Sequence, residues 1–127
     1  MPDDAAGLQA DEQEESRSVL LELSNEMVRL YKTLFGRGPT KARSHWLGSD
    51  AVIISLEDTF TAAERNMVAL GEHQRLRDMR TFFQHASADE FRAVAERVTG
   101  RKVRGFISGV DTRVDIASEV FYFEPED

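Results

Sequence analysis

A chain of 127 residues, 41% hydrophobic and 31% charged, has the length and balance of one folded domain around one core. Its net charge of −7 argues against a general nucleic-acid binder and against docking on anionic lipid by charge alone, so no nucleic-acid partner is expected. The absence of cysteine removes disulfides, zinc–thiolate sites and thiol nucleophiles, and it fits a cytoplasmic setting.

The charge is unevenly placed. Residues 1–16 carry six acids (Asp3, Asp4, Asp11, Glu12, Glu14, Glu15) and no Lys or Arg, which leaves 17 acids and 16 bases in the rest. With few apolar groups to offset the entropy of ordering, 1–16 predicts a disordered acidic tail before a single domain over 17–127. Met1-Pro2-Asp3-Asp4 has neither the basic nor the apolar region of a secretory signal. No apolar stretch approaches the roughly 20 residues of a membrane-spanning helix, so no direct membrane insertion is expected.

In chain order, Leu20, Leu23, Met27, Leu30, Tyr31 and Leu34 recur at three- and four-residue steps and predict an amphipathic helix over 17–35. Gly36 stands where a left-handed cap belongs, and Pro39 blocks continuation. Lys41 to Leu47 and Ala51 to Glu57, joined by the turn residues Gly48-Ser49-Asp50, predict a hairpin. Trp46 is expected to cover one sheet face. Thr61-Ala62-Ala63-Glu64 matches a capping box opening a helix to about residue 84, with a bend or break at Gly71. Met79, Phe82 and Phe83 read as part of its apolar side. Ser87-Ala88-Asp89-Glu90 matches a second capping box, before a short helix that ends at Gly100. Residues 102–110 and 117–124 predict a last strand pair. The fold class that follows is α+β: α-ββ-αα-ββ, a mainly antiparallel four-stranded sheet packed against helices. The face without helices must be solvated or covered by another copy, and the aromatics of the last strand point to a homodimer.

Few residues suggest chemistry. Gly36, Arg37, Gly38 and Pro39, with Lys41 and Arg43, make a candidate anion-binding patch. The loop follows a helix, however, where carbonyls and the negative dipole end are presented, so a cap and turn is the simpler reading. Asp111, Asp115 and Glu119 recur at four-residue spacing and would share a helix face suited to a divalent cation. The flanking strand patterns make them polar connection residues instead. His45, His73 and His85 show no ligand spacing, so no metal and no other cofactor is expected. Ser108 lacks a nucleophile elbow. Arg75, Arg77 and Arg80 are expected on a solvated helical surface, pairing with Glu72, Asp78 and Asp89.

The landmarks "LYKTLFGRGPTKARSHW", "DAVIISLEDTFTAAERNMV", "FRAVAERVTGRKVRGFISGVD" and "DIASEVFYFEP" occur in this order over about residues 17–125. Together they resemble a small bacterial family, formerly of unknown function and now named for MpsC. That component is linked to a sodium-translocating, membrane-potential-generating system. The resemblance implies an accessory protein of bacteria whose part in transport runs through a membrane-protein partner. It implies no catalytic residue. Three functions therefore stand as expectations. The first is a non-enzymatic accessory or regulatory binding module, homodimeric and cytoplasmic. The second is a small-molecule or anion-binding sensor using the 36–43 loop and the last strand pair. The third is a metal-assisted enzyme on Asp111, Asp115 and Glu119.

Overall fold

The computed structural model describes residues 3–126, with side chains from residue 10 onward. Eight elements follow one another: α1 (Asp3–Phe35), β1 (Lys41–Trp46), β2 (Ala51–Glu57), α2 (Ala62–Ala69), α3 (His73–Ala86), α4 (Ala88–Thr99), β3 (Val103–Asp111) and β4 (Ile116–Phe123). The strands form one antiparallel sheet in the order β1-β2-β4-β3. This is the expected α+β architecture. The β2–β4 pairing is long-range, and both hairpins lie outermost through β1 and β3.

Register explains where the core sits. Alternate residues of a strand face opposite sides. Val52, Ile54 and Leu56 pair with Phe121, Glu119 and Ala117, and all six side chains are buried on the helix-covered face. The α1 stripe supplies Leu23, Met27 and Tyr31, and α4 supplies Phe91 and Ala95. Phe91, Phe106 and Phe121 stack in sequence, with ring centroids 5.3 and 4.8 Å apart. The aromatics of β4 thus divide between the two faces. Phe121 and Phe123 are core, whereas Tyr122 alone lies on the open face, beside Val120. Trp46 lies on the helix side against Phe123 and donates its indole N–H to Ser16 on α1.

Several expectations need correcting. The first helix was expected over 17–35, but α1 begins at Asp3, with residues 10–15 exposed. Continuation of an already formed helix adds a hydrogen bond per residue without a new nucleus, which favours extension into polar sequence. The break expected at Gly71 does form: α2 and α3 are separate helices, and Gly71 takes φ +75°. The box at Ser87 does not form. Ser87 closes α3 and opens α4 at φ −107°, ψ 13°, away from the extended geometry of a capping residue, and its side chain makes no cap bond. The box at Thr61 does form, with both reciprocal bonds present. A bulge at Arg104 shifts the β3–β4 register between Val103 and Gly105.

Candidate functional site

The residues that carry polar chemistry collect at one end of the sheet, where the β2–α2 link meets the β3–β4 turn. Asp58 and Asp115 both adopt left-handed backbone, at φ 59° and 55°, and the Asp58 amide donates to the Asp115 carbonyl at 3.1 Å. Asp tolerates this region better than most residues, because its short side chain bonds nearby backbone. Asp115 uses that capacity across the chain. Its Oδ1 accepts from the Thr59 amide (2.9 Å) and hydroxyl (2.8 Å), and its Oδ2 accepts from the Phe60 amide (2.9 Å). The turn is thereby tied to the segment that enters α2.

Below this joint lies a buried ion pair. Arg80 of α3 is 1% exposed and Glu64 of α2 is 5% exposed. Arg80 Nε and Nη2 donate to the two Glu64 oxygens at 2.7 and 2.6 Å, and Nη2 also donates to the Thr59 carbonyl at 3.1 Å. The guanidinium stacks on Phe35, 3.8 Å from the ring centroid. A bidentate pair with further hydrogen bonds is the geometry in which a buried charge is tolerated. Arg80 was expected on the solvated surface, but it occupies the core. The buried side of α3 is Leu76, Arg80 and Gln84, and so Phe82 and Phe83, read as core, are 65% and 37% exposed. Arg75 pairs with Glu72 as expected (3.4 Å).

A second buried centre sits deeper. Glu119 of β4 is 0% exposed, and its Oε1 accepts from the Tyr31 hydroxyl at 2.6 Å. Glu119 Oε2 and the hydroxyl of its cross-strand neighbour Ser108 are buried without a hydrogen bond. Burial pushes the Glu119 carboxyl up to about 7, against the lowering influence of Ser108, Tyr31 and Arg80. Tyr31 is raised as well, by burial first and then by the Glu119 charge.

Between the β2–α2 link, α2 and the turn runs an open cavity of about 540 Å³. Its walls include Phe60, Val68 and Val114, with Arg65 and Arg113 at the rim. Glu57, Asp58 and Asp115 line it as well.

The structure divides the residues singled out from sequence. Gly36 caps α1 at φ +83°, its amide donating to the Lys32 carbonyl. Gly38 serves a different need, since a Cβ there would lie 3.1 Å from Val28 Cγ1 and from the Val28 carbonyl. Pro39 is buried. Arg37 reaches the cavity rim, donating to Asp58 Oδ2 at 2.6 Å, where Thr40 also donates at 3.0 Å. These contacts, Thr40 foremost, hold the Asp58 carboxyl below its usual range. Lys41 and Arg43 instead lie on the open sheet face with Glu57, at 3.8 and 3.3 Å. The six residues are therefore not gathered into one cradle. Nor do the three spaced acids meet: Asp111 is exposed and caps the Arg113 amide, Asp115 holds Thr59 and Phe60, and Glu119 is in the core. Among the described residues no group of three or more His, Asp or Glu is placed to hold a metal. His73 bonds Thr112 at 2.7 Å, beside the turn.

These features define an α+β protein with an open antiparallel sheet, helices on one face and a polar joint at one end. The chain belongs to the MpsC family: the family model described as "Na+-translocating membrane potential-generating system (MpsC)" matches residues 15–125. No curated protein and no solved structure matches it. Among the described residues no helix is long and apolar enough to cross a membrane.

Proposed function

We propose that this protein is a non-enzymatic accessory module of a sodium-translocating, membrane-potential-generating system, acting through a membrane-protein partner. The observation that carries this reading is the family match across residues 15–125. Action through a partner is consistent with the described helices, none of which is long and apolar enough to cross a membrane. A cysteine-free composition supports a cytoplasmic site of action. Affinity capture of the tagged chain from detergent-solubilised native membranes should recover an integral membrane protein. Repeated capture without one would remove the reading.

We further propose a homodimer formed through the open sheet face, where Ile107 and Ile116 remain 61% and 38% exposed. Sedimentation should show a dimer that Ile107→Asp dissociates. A wild-type monomer at micromolar concentration would end this part of the proposal.

A second reading, a sensor of small molecules or anions, is favoured by the open cavity beside the last strand pair and by the arginines at its rim. Bound ligand raises the stability of the folded state by mass action. A thermal-shift panel of phosphate, nucleotides, bicarbonate and carboxylates is the test, and no shift with any of them at millimolar concentration would remove it.

A further inference from the structure

The acids and the arginines around the cavity are used differently. Each acid already has a partner within the protein. Asp115 commits both oxygens to Thr59 and Phe60, Asp58 holds Arg37 and Thr40, and Glu57 holds Lys41 and Arg43. The two arginines keep donors to spare. Among the described residues the Arg65 side chain makes one hydrogen bond, Nη1 to the Phe60 carbonyl at 2.8 Å. Arg113 has no side-chain hydrogen bond and no ion pair among the described residues. Both are exposed at the mouth of a cavity whose wall includes Phe60, Val68 and the 61%-exposed Val114. A guanidinium beside apolar surface recognises a planar oxyanion through paired N–H donors, while the apolar wall selects a ligand with a hydrocarbon part. A second cavity of about 550 Å³ makes the contrast. It is lined by Glu12, Glu15 and Glu126, and its one cation, Arg101, already serves the Ser49 and Glu124 carbonyls and Glu126.

We propose that the cavity between α2 and the β3–β4 turn binds a small amphiphilic carboxylate. Its head lies between Arg65 and Arg113 and its short hydrocarbon chain lies along Phe60, Val68 and Val114. The proposal rests on the sensor reading and names its site and ligand class.

Hexanoate is the probe, with hexanol and inorganic phosphate as controls, titrated into the full chain and followed by amide chemical shifts and calorimetry. The shifts should concentrate at residues 57–69 and 112–115, with hexanoate binding at least about tenfold tighter than either control. Arg113→Gln changes an exposed side chain that makes no hydrogen bond or ion pair among the described residues, and it should weaken hexanoate about tenfold. Ala69→Trp fills the cavity from an exposed position and should abolish binding. Hexanol binding as well as hexanoate, phosphate binding as well as hexanoate, or indifference to both substitutions would overturn the proposal. If the thermal panel finds a stabilising anion but hexanoate shifts map elsewhere, this assignment falls and the sensor reading stands. If no anion stabilises the protein, both fall.

Discussion

Glu64 and Glu119 are carboxylates buried in the same small protein, and their neighbours treat them in opposite ways. Glu64 meets the Arg80 guanidinium through two short bonds, with Thr59 as a further acceptor of the same cation. Glu119 has hydroxyls about it and no bonded cation: Tyr31 donates to its Oε1, and Ser108 lies across the strand pair from it, while among the described residues its Oε2 makes no hydrogen bond. Arg80 does act on Glu119 by charge, but it is bonded to Glu64. One centre gives its carboxylate a buried cation with matched donors. The other is built so that the neutral acid is the comfortable form, since a lone buried charge loses its hydration with nothing in return. The contrast teaches that burial alone does not decide the state of an acid; the donors that reach it do.

The largest effect should come from breaking the paired centre. Glu64→Ala leaves Arg80 buried and uncompensated, and urea unfolding should show a loss of about 3–5 kcal/mol. A loss under about 1 kcal/mol would mean that Arg80 finds solvent instead. The lone acid should give the next effect, and it depends on pH. The folded-state pKa of Glu119 lies near 7, above the ordinary 4.5, so the folded protein holds this proton longer than the unfolded chain. Its contribution is fully favourable below pH 4.5 and is lost as pH rises to about 7, a change of about 3 kcal/mol. Glu119→Gln keeps the shape and removes the titration. The difference between wild type and variant across pH 4–8 should therefore reveal that slope. Parallel pH curves would contradict it.

Asp115→Ala strands the Thr59 and Phe60 amides at the joint above the ion pair, and about 2 kcal/mol should be lost in the same unfolding assay. Tyr31→Phe should have the smallest effect, about 1 kcal/mol, greater at pH 8 than at pH 5, because the ionised acid depends more on its one donor. An equal effect at both pH values would show that the hydroxyl is indifferent to the charge on Glu119.

Much of the architecture was legible because it is written in periodicity. The α1 stripe, the two strand pairs and the Thr61 box each depend on spacing along one element, and each formed where spacing put it. The misreadings at Arg80, Phe82, Phe83 and Glu119 share a cause: they depend on which face of an element a residue takes, and tertiary pairing settles that. Arg80 lies four residues after Leu76 and four before Gln84, so its place on the buried side was available from phase. Assigning Phe82 and Phe83 to the core put the helix in the wrong rotation. Glu119 alternates with Ala117 and Phe121, which marks it as inward-facing, but a charge at such a position reads as a strand end until Tyr31 is seen opposite it. The cavity could not be read at all. Its walls come from residues near 60, 68 and 114, brought together only by β4 inserting beside β2.

The contrast between the two acids is tested most directly by following the side-chain carboxyl carbon of Glu119 in a pH titration of isotopically labelled protein, with Glu119→Gln to assign the signal. A midpoint near 7 is predicted. A midpoint in the ordinary glutamate range, near 4.5, would show that the second oxygen is solvated or paired and that the two centres do not differ as described.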